Sequence, residues 1–172
     1  EMYNMMQKII IPSYLGKQVN SQYKVIRTSG IAESKLSERI KKLMDDYSKE
    51  LKFSFLPSYK GVDFVLKARP SDIKLNDIST IFYNEMQPYS FGYDNDSFVE
   101  FIIKELSTKN ITISLAESCT GGLLGKILTD VPGSSQVFIG GIVAYNNSIK
   151  INQLNISSKL LDQHGAVSSE VA

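Results

Sequence analysis

An α+β unit followed by an α/β unit is predicted from three observations in the 172-residue chain. Between residues 22 and 93 the apolar spacing switches between period two and period 3.6, in the order strand, helix, strand, strand, helix. A turn-rich passage, Tyr89-Ser90-Phe91-Gly92-Tyr93-Asp94-Asn95-Asp96, then marks the best domain boundary. Beyond it, an alternating apolar run passes into Ala116-Glu117-Ser118-Cys119-Thr120-Gly121-Gly122 and on into a helical pattern, the signature of a strand-to-helix turn.

Residues 1–21 specify little by themselves: Ile9, Ile10 and Ile11 form a short apolar run stopped by Pro12. From Tyr23 to Thr28 the pattern alternates, with Tyr23, Val25 and Arg27 on one face, and predicts a strand. Gly30 ends it and Ser34 is the expected cap of a helix whose stripe is Leu36, Ile40, Leu43, Met44 and Tyr47. Residues 52–58 and 61–69 read as two strands joined by a hairpin turn at Tyr59-Lys60-Gly61. Leu75, Ile78, Ile81, Phe82 and Met86 give a second helical stripe, ended by Pro88.

In the second unit, Ser97 and Glu100 have capping-box spacing and predict a helix with Phe98, Phe101, Ile102 and Leu106 on its buried face. Asn110 fits its end. Ile111, Ile113 and Leu115 alternate with polar and small residues into a strand, and Leu123, Leu124, Ile127 and Leu128 follow at helical spacing up to Pro132-Gly133. A second strand runs from Val137 to Tyr145, with a kink or close backbone approach expected at Gly140-Gly141. Two short helices follow, the second capped by Ser157. The chain closes on Ser168-Ser169-Glu170-Val171-Ala172, which reads as a helix opening. With Glu1 at the other end instead of an initiator methionine, this predicts a piece of a longer polypeptide.

Composition narrows the function classes. No apolar run approaches the roughly 18 residues of a membrane span, and no secretory signal is visible. The single Cys119 excludes an intramolecular disulfide framework and suits a reducing compartment, so a cytoplasmic setting is expected. Basic and acidic residues nearly balance, at 19 against 18. The residues up to Tyr93 are mildly positive and the rest mildly negative, without the basic stripe of a phosphate-backbone binder.

The chemistry concentrates at the glycine-rich turn. Ser118 there is either a nucleophile or the cap of a helix, and as a nucleophile it needs a base within hydrogen-bond reach. His164, at a helix end in Gln163-His164-Gly165, is better placed to meet terminal carbonyls. Lys126 sits two turns into the following helix, roughly 12 Å along its axis. Lys150 follows the second strand, and because adjacent strands lie within about 5 Å, their ends can bring Tyr145 and Lys150 to the rim that carries Ser118. The ordinary expectation for Lys150 is still a solvated surface side chain. Cys119 competes as a reactive thiol, although a free cysteine is more often a small buried hydrophobe. Glu117 is either a helix-start acid or a group that orients a partner. Thr120, Gly121 and Gly122 can present amides to a phosphate or an oxyanion, and Gly133-Ser134-Ser135 is a second turn of that kind. A phosphate-binding turn and a Ser/Lys hydrolase both fit these residues.

Four blocks then carry a resemblance. Ala116-Glu117-Ser118-Cys119-Thr120-Gly121-Gly122, Thr129-Asp130-Val131-Pro132-Gly133-Ser134-Ser135, Gly140-Gly141-Ile142-Val143-Ala144-Tyr145 and His164-Gly165-Ala166-Val167-Ser168 resemble, in this order and spacing, the C-terminal domain of the CinA family. The likeness covers residues 97–172 closely. Residues 22–93 resemble the family's middle KH-like domain through Arg27-Thr28-Ser29-Gly30-Ile31-Ala32-Glu33-Ser34 and the helix after it. Residues 1–21 resemble the tail of its N-terminal molybdopterin-binding-like domain. The implied architecture is a KH-like α+β domain over 22–93, then over 94–172 the N-terminal half of a three-layer α/β/α, mixed-sheet CinA domain, truncated at Ala172.

The resemblance implies an amidohydrolase that converts nicotinamide mononucleotide to nicotinic acid mononucleotide and ammonia, a step of pyridine-nucleotide salvage, with no cofactor. Ser118 maps onto the proposed nucleophile and Lys150 onto the general base. Tyr145 joins them as a catalytic residue, and Ser135 with Glu117, Thr120, Gly121 and Gly122 forms the substrate-binding set, the last two supplying oxyanion donors. A later glycine-rich block and an arginine of the family would lie beyond Ala172, so this stretch alone is expected to lack half of the pocket. The family's ADP-ribose pyrophosphatase activity belongs to its N-terminal domain. In the KH-like unit the turn that would carry GxxG reads Gly30-Ile31-Ala32-Glu33, with an acid in place of the second glycine, which favours a spacer or dimerisation role over RNA binding. The expected partner is therefore a small nucleotide, with a homodimer as the expected assembly and no membrane. The competing expectation is a non-catalytic nucleotide-binding or scaffold module.

Overall fold

A computed structural model describes residue 5 and residues 22–68 and 74–172, which group into two compact units dividing between Asp96 and Ser97. The tail predicted at 1–21 and the last residue of the third predicted strand, Arg69, lie outside the described residues, Met5 excepted.

The N-terminal unit is built on strands β1 (Tyr23–Thr28), β2 (Leu51–Ser58), β3 (Gly61–Ala68) and β4 (Ser90–Tyr93), with helices α1 (Glu33–Asp46) and α2 (Leu75–Glu85). The sheet order is β2-β3-β1-β4 and all three pairings are antiparallel. The hairpin between β2 and β3 closes on the pair Ser58 and Gly61, leaving Tyr59 and Lys60 as its two-residue loop. Ile26, Leu36, Ile40, Phe64, Phe82 and Met86 are wholly buried together, and the rings of Phe53, Phe64 and Phe82 pack at centroid separations of 5.4 to 5.7 Å. The core face of β1 is Ile26 and Thr28, opposite in parity to Tyr23. On α2, Ile81 is exposed and Leu75, Phe82 and Met86 carry the burial.

Two sequence expectations change here. Ser34 does not cap α1: Ala32 holds the cap position with no side-chain bond, and Ser34 lies inside the first turn. The passage 89–96 contains β4, which pairs Tyr93 with Ile26 and Gly92 with Arg27. With glycine and polar residues dominating, its propensity reads as turn; the free edge of β1 supplies what local sequence does not.

The C-terminal unit contains α3 (Phe98–Thr108), β5 (Ile113–Glu117), α4 (Leu123–Thr129), a short 3-10 turn at Ser134–Gln136, β6 (Phe138–Val143), α5 (Asn147–Leu154) and α6 (Ser158–His164). Ser97 caps α3, its hydroxyl accepting from the Glu100 amide, and Asn110 follows the helix at φ 53. The row of α3 that meets the core is Val99, Ile103 and Leu106, against Leu128 and Val137. The predicted row of Phe98, Phe101 and Ile102 is rotated off it; Phe98 is 43% exposed and stacks on Phe101. On α4 only Leu128 is buried, while Leu123, Leu124 and Ile127 are exposed.

β5 and β6 pair in parallel, from Ile113 opposite Phe138 to Glu117 opposite Val143. The register slips by one residue at Ile139, forming a bulge beside Gly140, whose φ of +146 suits glycine. A Cβ on Gly141 would stand 3.1 Å from the Leu115 carbonyl oxygen, which is the close approach expected of that glycine pair.

Candidate active site

The parallel pairing puts the carboxyl ends of β5 and β6 on one rim, where ligands of open α/β sheets bind. The Ala144 amide donates to the Glu117 carbonyl at 2.7 Å, extending the ladder one residue past β6 and aligning the two exits. From one exit the chain turns through Ser118 to Gly122 into α4. From the other it passes through Ala144 and Tyr145 into α5, which Asn146 caps by accepting from the Ser148 amide at 2.8 Å.

Lys150, one turn into α5, points back to that rim. It is only 6% exposed, and its Nζ lies 2.6 Å from the Ala144 carbonyl oxygen, 3.2 Å from the Tyr145 carbonyl oxygen and 3.3 Å from Ser118 Oγ. The expectation of a solvated lysine is overturned: helix α5 starts immediately after the strand exit, so its first turn faces inward. Three acceptors satisfy all three N–H bonds of an ammonium. In the neutral amine, two N–H bonds suffice for the two carbonyls, and the lone pair is left for the serine hydroxyl.

Glu117 is buried at 8% and is occupied by its own chain. Its Oε2 accepts from the Thr120 hydroxyl at 2.8 Å and the Leu124 amide at 2.9 Å, and its Oε1 accepts from the Gly125 amide at 2.8 Å. Burial acts to raise this carboxyl, but the Gly125 amide, the Thr120 hydroxyl and the Leu124 and Gly122 amides outweigh it and hold it below the ordinary glutamate range. Glu117 thus staples the start of α4 and shapes the turn that carries Ser118. Gly121 and Gly122 have φ of +61 and +93, and a Cβ at Gly125 would crowd Glu117 Oε1 at 3.2 Å.

Ser118, Cys119 and Lys150 open into a cavity of about 480 Å³ whose other walls are mostly apolar, among them Ala116, Ala144, Leu154 and Ile156, with Glu117 and Ser168 as the further polar members. A larger groove of about 700 Å³ in the N-terminal unit, beside Lys24, Lys74 and Asp94, holds no such nucleophile–base pair. Among the described residues, no group of His, Cys, Asp and Glu could hold a metal ion. None of their helices is long and apolar enough to cross a membrane.

Comparison with known proteins decides the family. The model of the CinA C-terminal domain matches residues 95–172, and that of the damage-inducible protein CinA KH domain matches residues 23–76. The chain belongs to the CinA family.

Its fold is accordingly a KH-like unit followed by an α/β CinA C-terminal domain. A competence-damage inducible protein of Halothermothrix orenii is 36% identical across this whole chain, which covers 43% of that protein. A CinA-like protein of Prochlorococcus marinus is 39% identical over 95% of this chain and 39% of its own length. The chain thus spans about two fifths of these relatives. A crystal structure of a competence/damage-inducible protein from Agrobacterium tumefaciens aligns with 43% of this chain and 45% of that one, at 39% identity and a TM-score of 0.42.

Within this CinA-family site, the residues singled out from sequence separate into two groups. Ser118 and Lys150 meet at the cavity, and Glu117 and Thr120 support the turn. Tyr145 contributes its carbonyl to Lys150 while its ring is 76% exposed. Ser135 is exposed on the 3-10 turn and does not line the cavity, whereas its neighbour Ser134 is buried. Cys119 is exposed, not buried, because it sits at the tip of the turn. His164 ends α6, 3.7 Å from the Glu170 carboxylate, and Lys126 pairs with Asp130 on the surface. Ala144 escaped sequence reasoning, since an acceptor carbonyl leaves no side-chain signal. The Ala166 to Ser168 wall was visible only as part of the His164–Ser168 block.

Proposed function

We propose that this chain carries the nucleophile and base of a nicotinamide-nucleotide amidohydrolase, which turns nicotinamide mononucleotide into nicotinic acid mononucleotide and ammonia. The observation that carries the reading is the buried Lys150 amine 3.3 Å from the Ser118 hydroxyl, on the rim of an apolar cavity. Lys150 takes the proton of Ser118 as its oxygen attacks the carboxamide carbon. Collapse of the tetrahedral adduct expels ammonia with that proton and leaves an ester on Ser118. Water, deprotonated by Lys150, then attacks the ester and returns the serine. The mostly apolar walls suit the flat face of a pyridine ring, and with Lys150 held by two carbonyls, the nucleotide phosphate is to be bound by other groups. The ADP-ribose pyrophosphatase activity of the family is no part of this site.

The test is ammonia release from nicotinamide mononucleotide by a chain extended to the family's full length, with and without Ser118→Ala. Turnover that disappears in the variant is the expected result. Saturable binding of the mononucleotide without turnover in the unsubstituted protein would make this a binding module instead.

A further inference from the structure

In the amide hydrolysis just proposed, on which this inference rests, attack by Ser118 puts negative charge on the carboxamide oxygen. Fixed donors have to meet that oxygen at about 3 Å. Of the two glycines that the sequence offers for this, Gly121 is already engaged. The Gly121 amide donates to the Ser118 carbonyl at 3.0 Å, while the Gly122 amide, which helps hold the Glu117 carboxyl low, lies four residues past the nucleophile. The Leu124 and Gly125 amides also go to Glu117. Nearer the serine, the Cys119 and Thr120 amides donate to no acceptor among the described residues. Cys119 lines the same cavity as Ser118 and Lys150 and is exposed to it.

We propose that the backbone N–H of Cys119 is the oxyanion donor of this site. Its position immediately after the nucleophile ties it covalently to the attacking oxygen, so a strand-to-helix turn that aims one aims the other. As the bond from Ser118 Oγ to carbon forms, the serine proton passes to Lys150 Nζ. The carbonyl π pair moves onto oxygen, which accepts from the Cys119 N–H. Collapse restores that pair to the carbonyl, breaks the carbon–nitrogen bond and releases ammonia carrying the proton from Lys150. Glu117 makes this possible at a distance: by collecting the amides of the far side of the turn it sets the turn's shape and leaves the near side open to substrate. The thiol of Cys119 takes no part.

The experiment is an amide NMR titration of the nitrogen-15-labelled full chain with pyridine-3-boronic acid, which forms a tetrahedral adduct on a nucleophilic serine and places an oxygen where the oxyanion forms. A four-coordinate boron signal that vanishes in Ser118→Ala establishes the adduct. In that adduct the Cys119 amide proton is expected to move downfield further than any other from Glu117 to Gly125. An adduct whose largest downfield shift falls on Gly121 or Gly122 overturns the assignment. Absence of any adduct removes Ser118 as nucleophile, and then the proposed reaction fails together with this inference.

Discussion

Lys150 Nζ stands 3.3 Å from Ser118 Oγ across 32 positions of sequence. The contact follows from topology: β5 and β6 run in parallel, so both exits fall on one rim, and α5 begins within a few residues of the second. Burying a lysine requires partners for its N–H groups. The Ala144 and Tyr145 carbonyls provide two, and they also fix the direction from which the amine meets the serine.

Replacing that amine is therefore expected to remove base catalysis. Lys150→Met should lower kcat for ammonia release by about 10²- to 10⁴-fold, the usual range for a positioned acid–base group. Lys126→Met deletes only a surface ion pair with Asp130, worth about 1 kcal/mol or less, and should leave kcat close to that of the parent. Steady-state assays of both variants check the ranking, and a larger loss in Lys126→Met would assign the base elsewhere.

Ser118→Ala should abolish turnover to the level of binding alone, a loss on the order of 10⁴-fold or more. The two backbone acceptors of Lys150 remain in this variant, so its melting temperature should stay near that of the parent. Activity that survives Ser118→Ala and disappears in Cys119→Ala would transfer the nucleophile to the neighbouring thiol, which lines the same cavity.

What was legible in the sequence was mostly local. The caps at Ser97 and Ser157, the hairpin at Tyr59-Lys60 and the glycine-rich turn are encoded by adjacent residues, and the structure has each of them. What was not legible depends on distant partners. β4 exists because β1 has a free edge, and the row of α3 that is buried is chosen by Leu128 and Val137. Lys150 reads as a surface lysine until the parallel register carries Ser118 to it. Which amides at the start of α4 are occupied was likewise not legible, because the Leu124 and Gly125 amides are taken by a Glu117 carboxylate that folds back over the turn.

That carboxylate gives a pH signature. Burial opposes its ionisation, but the Gly125, Leu124 and Gly122 amides and the Thr120 hydroxyl hold its folded value below the ordinary 4.5. The folded state thus binds the ionised form more tightly than the unfolded chain does. Its stabilisation is fully present above about pH 4.5 and fades as pH falls through the lower folded value. Glu117→Gln should melt at a lower temperature near neutral pH and lose this part of the acid-side decline. Melting curves from about pH 3 to pH 7 test this; parallel profiles for the two proteins would show that the carboxylate charge contributes nothing.

Gly61 tests the N-terminal unit independently of the site. Its φ is +145, and a Cβ there would fall 2.0 Å from the Thr28 carbonyl oxygen. Thr28 cannot retreat easily, because it is buried and its hydroxyl donates to the Val62 carbonyl at 2.6 Å. Gly61→Ala therefore meets both backbone strain and a main-chain clash, and should destabilise the unit by about 2–4 kcal/mol. Gly30 separates the two effects: its φ is +76, but a Cβ would meet nothing within 4 Å. Gly30→Ala should cost only about 1–2 kcal/mol. Urea unfolding of the two variants measures the difference. Equal losses would mean that the strand contact yields to the methyl group and that dihedral strain alone explains the preference for glycine.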